Sequence, residues 1–207
     1  PARYGRRTGG VFAAQGTRAD PGDPPHGELE LRLIDAQAMV DAPLGDSRIR
    51  LAGRYGYPGL LLSVFAEDVA LAYWDYQTRF VTPLSLHDRV EFTWFGSYDY
   101  LGDHADDTGS LTLEFHRAEA RLVRALPDQE FGFALQGGYE YSSLADRVSV
   151  TAWRVGPRLW SKFAPASNVH VHLGADMFAA VGGITAEPTD SLNLPGNLPP
   201  TPTQDPV

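Results

Sequence analysis

RVEFTWFGSYDYL, residues 89–101, is the stretch whose reading decides the fold. In an extended chain successive side chains point to opposite faces, so Val90, Phe92, Trp94, Gly96, Tyr98 and Tyr100 share one side. Arg89, Glu91, Thr93, Ser97 and Asp99 share the other. The segment predicts a strand with one dry face and one wet face. The split recurs downstream in 130–141, where Phe131, Phe133, Leu135, Tyr139 and Tyr141 oppose Glu130, Gln136 and Glu140. It recurs in 169–184, where Val169, Val171, Leu173, Ala175, Met177 and Val181 oppose His170, His172 and Asp176. Upstream, 47–56 and 69–82 carry Arg48, Arg50, Arg54 and then Asp75, Gln77, Arg79 on their polar rows. No helical period competes anywhere.

Three segments break the phase. Residues 28–42 flip at Leu33 and Ile34, which predicts a tight reversal rather than one long strand. Residues 111–126 and 147–163 change phase partway, as a bulge would cause, or a strand outrunning the layer that buries it. The count comes to about eight or nine strands. The connections at 43–46, 84–88, 127–129 and 164–168 are short, whereas those at 57–68 and 102–110 are longer. This predicts short turns at one end of the sheet and long loops at the other.

A period of two does not say which face is inside. A soluble sandwich or calycin-type barrel turns the apolar row inward, and an outer-membrane barrel turns it toward lipid around a polar lumen. Tyr55, Tyr98, Tyr100, Tyr139 and Tyr141 gather toward the long-loop end, and Phe80, Phe92, Phe131 and Phe163 toward the short-turn end. Two such collections match the interfacial girdles of a membrane barrel. Composition limits the alternatives. The net charge of −9 with scattered Lys and Arg gives no basic stripe for nucleic acid. The absence of cysteine excludes disulfide frameworks and thiolate metal sites. The longest nearly apolar run, 60–66, is far short of the roughly 20 residues of a membrane helix, so any crossing is by strands.

The opening residues, PARYGRRTGGVFAAQGTR, followed by GELELRLIDAQAMVDAPLG and RLAGRYGY, resemble TonB-dependent receptors at the junction of plug and barrel. In that family a Tyr-Gly-Arg-x-x-Gly-Gly-Val segment closes the plug, and Tyr4, Gly5, Arg6, Gly9, Gly10 and Val11 match it. AGRYGYPGLL, LAYWDYQTRF and WFGSYDYLG also look like early barrel strands of these receptors. The resemblance covers about residues 1–110 well and the rest only in pattern. It implies an all-β chain: an antiparallel transmembrane β-barrel, part of a larger one, with a short plug-derived N-terminal segment. Residues 1–26 would be the end of the plug and its linker, 27–184 the barrel strands, and 185–207 an exposed loop or tail with six prolines after Thr185.

The resemblance further implies a Gram-negative outer-membrane location and energy-coupled uptake of a scarce ligand. The implied partners are outer-membrane lipid, the remainder of the barrel from this or another chain, a TonB-type energy transducer and other outer-membrane proteins. The resemblance would place the opening segment in the lumen, contacting the wall through Tyr4, Arg6, Arg7, Gly9 and Gly10, with Arg6 and Arg7 meeting carboxylates because a lone buried charge is costly. Glu91, Asp99, Glu119, Glu130 and Glu140 are the candidates, and Arg54, Asp75, Glu91, Asp99, Glu119 and Glu140 are expected to face the lumen. The alternative for the opening segment is a flexible N-terminal arm with solvated arginines.

The chain departs from the family in strand number, since a plugged transporter barrel has about 22. It also lacks the transducer-binding box and a terminal aromatic-ended strand, so the expectation is a fragment of a larger protein. A receptor-derived barrel serving as an outer-membrane scaffold, and more distantly a soluble lipocalin-like binder, are the alternatives.

Candidate chemistry is sparse. Asp103, His104, Asp106 and Asp107 form an acidic loop tip able to offer oxygen ligands to Ca²⁺ or a cationic ligand. His170, His172 and Asp176 lie on one face, a spacing that a divalent metal or a wet row explains. No Gly-x-Ser-x-Gly elbow is present and no carboxylate pair stands apart from the polar rows, so neither catalysis, a cofactor nor a resident metal is expected. Trp74, Trp94, Trp153 and Trp160 read as lipid-facing or interfacial anchors.

Overall fold

The computed structural model describes residues 22–59, 69–103, 110–145, 147–166 and 168–186. Its strands are β1 (His26–Leu31), β2 (Asp35–Leu44), β3 (Ser47–Gly56), β4 (Val69–Pro83), β5 (Asp88–Asp103), β6 (Leu111–Leu126), β7 (Gln129–Leu144), β8 (Val148–Ala166), β9 (Val169–Asp176) and β10 (Ala179–Ala186). All belong to one antiparallel sheet in which each strand pairs with its neighbour in sequence from β1 to β8, and both β9 and β10 pair with β8. The reversal expected at Leu33 and Ile34 separates β1 from β2, with the Arg32 amide donating to the Asp35 carbonyl at 2.8 Å.

β9 and β10 are two halves of one ladder. Arg158 pairs with Asp176 and Val155 with Ala179, which places Pro157 and Gly156 opposite Met177 and Phe178 without a change of register. Pro157 has no amide hydrogen to give, so the ladder is interrupted there. The Met177 amide still donates to the Pro157 carbonyl at 3.1 Å. The sheet is thus nine strands wide, and its two edges, β1 and β9/β10, run in the same direction. Among the described residues neither edge has an outer partner, so the sheet is open.

The registers of β5 with β6, β6 with β7 and β7 with β8 run without a break. The phase changes in β6 and β8 therefore do not come from bulges. Toward the 104–110 end the chemistry of the faces exchanges, Leu111, Leu113, Phe115, Val148 and Val150 occupying the side that carries charges elsewhere. The sheet's one register shift lies between Phe163 and Ala166.

The connections at 45–46, 84–87, 127–128 and 167–168 are all short and share one end. The opposite end holds the longer connections at 57–68 and 104–110 but also the tight ones at 32–34 and 145–147, so the expected asymmetry is correct for one end and mixed at the other. Ala145 takes the tight turn at φ 54°, in the left-handed region.

Candidate functional site: the two faces of the sheet

Directly paired residues of an antiparallel ladder share a face, so the registers fix the composition of each side. One cross-strand row reads Ile49, Phe80, Phe92, Ala120, Leu135, Pro157. The next reads Leu51, Thr78, Trp94, Ala118, Gly137, Val155. Among the described residues no second layer covers this apolar face. Trp94 is 46% exposed and Leu135 47%.

Toward the long-loop end the same face carries a belt of rings. Trp74 stacks on Tyr98 with centroids 5.8 Å apart, Tyr76 meets Trp94 edge-on at 5.0 Å, and Tyr139 meets Trp153 at 4.7 Å. His116 joins them, 5.9 Å from Tyr76 and 6.1 Å from Tyr139. Its two ring nitrogens are satisfied by the Tyr76 hydroxyl at 2.9 Å and the Glu114 carboxylate at 2.8 Å. At the short-turn end the face closes on Asp88 and Arg124, which form a two-point pair at 2.7 and 2.9 Å. The Arg124 guanidinium, helped by the Ser85 hydroxyl, holds the Asp88 carboxyl down at about 2, so the pair is ionised at any ordinary pH. From Glu114 to Arg124 strand β6 advances about 33 Å at about 3.3 Å per residue. At a tilt of about 40° that is a band about 25 Å tall.

The opposite face is charged and is where burial occurs. Glu91 is 5% exposed among three arginines, with Arg89 at 2.7 Å, Arg79 at 3.6 Å and its cross-strand partner Arg121 at 3.8 Å. Asp41, 3% exposed, accepts from Arg48 at 2.5 Å and from Arg50 Nε at 2.7 Å. Arg54 donates to its partner Asp75 at 2.6 Å and lies 5.3 Å over the Tyr73 ring. Glu140 bridges Arg117 and Arg154, Glu119 pairs with Arg121, and Glu130 receives Lys162 at 2.6 Å. The charges neutralise one another, within one strand for Arg89 with Glu91 and Glu119 with Arg121 and across strands for the others.

All six residues expected to face a lumen, Arg54, Asp75, Glu91, Asp99, Glu119 and Glu140, lie on this one face. Of the carboxylates expected to receive plug arginines, Glu91, Glu119, Glu130 and Glu140 are paired within the sheet itself. Tyr4, Arg6, Arg7, Gly9 and Gly10 lie outside the described residues, as do His104, Asp106 and Asp107; the backbone of Asp103 ends β5. His170 and His172 sit exposed on the charged face, and among the described residues no cluster of three or more side chains is arranged to hold a metal ion.

Trp74, Trp94 and Trp153 are on the apolar face, but Trp160 is not. It faces the charges, donates to Glu130 at 3.1 Å and covers its partner Gly132 so closely that a Cβ there would lie 1.8 Å from the indole. Only glycine leaves room for that ring. The Glu114, His116 and Asp88, Arg124 pairs are polar groups on the apolar face that the alternation did not single out. Their signal was the phase change in 111–126 and the Arg after Val123.

Comparison of the chain with protein-family models, curated proteins and solved structures finds no match.

Proposed function

We propose that this sheet is part of the wall of an outer-membrane β-barrel, with its apolar face toward lipid and its charged face toward the interior. One observation carries the reading: the exposed side of the sheet is apolar and the side with the buried residues is ionic, the reverse of a water-soluble layer. A band about 25 Å tall, bounded by aromatic rings at one end and a charge pair at the other, supports it. So does the state of the edges. Unpaired backbone groups are not tolerated in hydrocarbon. Two edges running in the same direction would join each other as a parallel pair, so an antiparallel barrel needs an odd number of further strands between them.

Within that reading the barrel is of the TonB-dependent receptor type, placed in the outer membrane of a Gram-negative cell. It takes up a scarce ligand with energy delivered by a periplasmic transducer. The opening Tyr4, Gly5, Arg6, Gly9, Gly10 and Val11 pattern supports this assignment. The interior face offers ion pairs rather than catalytic groups.

The absence of native cysteine makes every introduced thiol unique. Single cysteines placed along β6 from Ala118 to Leu122 in vesicle-embedded protein should react with a membrane-impermeant maleimide only at the odd positions, Glu119 and Arg121, and, once labelled with a membrane-permeant fluorophore, be quenched by lipid-borne quenchers at the even ones. Equal reaction at both sets, in protein soluble without detergent, would overturn the proposal.

A further inference from the structure

The apolar face is not uniform. Across β6 to β9 one row reads Arg124, Phe131, Ser161, Leu173 and the next Leu122, Phe133, Leu159, Ala175. Ser161 and Ala175 are small among large neighbours, and the surface dips between Phe131, Phe133, Leu159 and Leu173. The result is a groove of about 880 Å³, within the size range of small-molecule sites. Its upper end opens on the Asp88 and Arg124 pair, which also lines it.

The Asp88 carboxylate accepts from Arg124 at both oxygens and from the Ser85 hydroxyl at 2.9 Å on Oδ2, which leaves one lone pair on Oδ1 for a further donor. Arg124 reaches Asp88 through Nε and Nη2, while its side chain is 60% exposed and its Nη1 edge points to no partner in the pair. A fixed cation beside a fixed carboxylate, above an apolar trough, complements a ligand with an anion, a neighbouring cation and an alkyl chain. A phosphate ester fits the planar guanidinium edge, and a primary ammonium fits the carboxylate.

Resting on the membrane-wall reading above, we infer that this groove is a binding site for one phospholipid of the phosphatidylethanolamine class. An acyl chain lies along Phe133 and Leu159, the phosphate is on Arg124 and the ammonium on Asp88. The site would fix a lipid at the short-turn rim of the barrel.

The test uses the full chain reconstituted into vesicles of equal parts phosphatidylethanolamine and phosphatidylglycerol, extracted gently and weighed by native mass spectrometry. One retained phosphatidylethanolamine per protein, enriched over the bulk ratio, is expected. Leu159→Trp, which fills the groove, should lower retention about tenfold, and Arg124→Gln similarly, the scale of one charged hydrogen bond. Arg124→Lys should keep most of it, and Asp88→Asn should abolish the preference over phosphatidylglycerol while leaving a lipid bound. Retained lipid that mirrors the bulk mixture and ignores all four variants, in protein that has entered the vesicles, overturns the site and leaves the membrane wall standing. A polypeptide occupant in place of lipid overturns it equally. Protein that never enters the vesicles overturns both.

Discussion

Trp94 and Glu91 are three residues apart on one strand and obey opposite rules. Trp94 is held by the Tyr76 ring and otherwise open, in a face whose large side chains are left uncovered. Glu91 is nearly sealed and, among the described residues, its charged neighbours are Arg79, Arg89 and Arg121, whose long side chains crowd the same rows. In a soluble sheet the hydrophobic effect selects the buried side. Here the buried side carries the ion pairs and the large apolar side chains stand on the exposed one, the arrangement that the proposed lipid contact accounts for. The two faces therefore respond differently to change, and several substitutions can separate them.

The largest expected effect is on the charged face. Glu91→Gln leaves three arginines crowded without their carboxylate and should cost about 3 kcal/mol of stability, the scale for breaking a buried ion pair. Chemical unfolding of the detergent-folded protein reads this, and a loss below about 1 kcal/mol would show that the arginines are solvated. Next, Leu135→Arg in the middle of the apolar band should cost about 2–4 kcal/mol in bilayers, with little effect in water, as charges on a lipid face do. The neighbouring Gln136→Arg, which projects to the charged side beside Glu119, should be tolerated. Equal costs would erase the distinction between the faces.

Gly132→Ala drives a methyl into the Trp160 ring and should cost about 1–3 kcal/mol by overpacking, with a shift in tryptophan fluorescence. Ala145→Gly relieves a left-handed alanine in the β7–β8 turn and should raise stability by about 1 kcal/mol. The smallest effect is in acid. Because the folded Asp88 carboxyl titrates near 2, below its ordinary 3.8, its contribution is complete above about pH 4 and is lost as pH falls through 2. Asp88→Asn should flatten that limb of the acid-stability profile.

Much of this architecture was legible in the alternation. The strand spans, the reversal at Leu33 and Ile34, and the common face of Arg54, Glu91 and Glu140 follow from a period of two, because a strand's geometry is local. The pairing of Glu91 with Arg121 is not local; it depends on the register between β5 and β6, residues 30 positions apart in the chain. Trp160 reads from the sequence as an anchor like the other three tryptophans, but the phase change within 147–163 hides that it shares the charged face with Glu130 and Lys162. The Asp88 and Arg124 pair joins residues 36 positions apart, beyond any spacing rule.

Because every strand from β2 to β9 lies beside the one made just before it, and β10 returns to β8 in line with β9, each ladder closes across a short span of chain. An incomplete sheet of this order is already a correct piece of the final one. The growing structure presents a single advancing edge, so assembly can proceed hairpin by hairpin, and a stalled intermediate is one whose edge has not yet met its next strand.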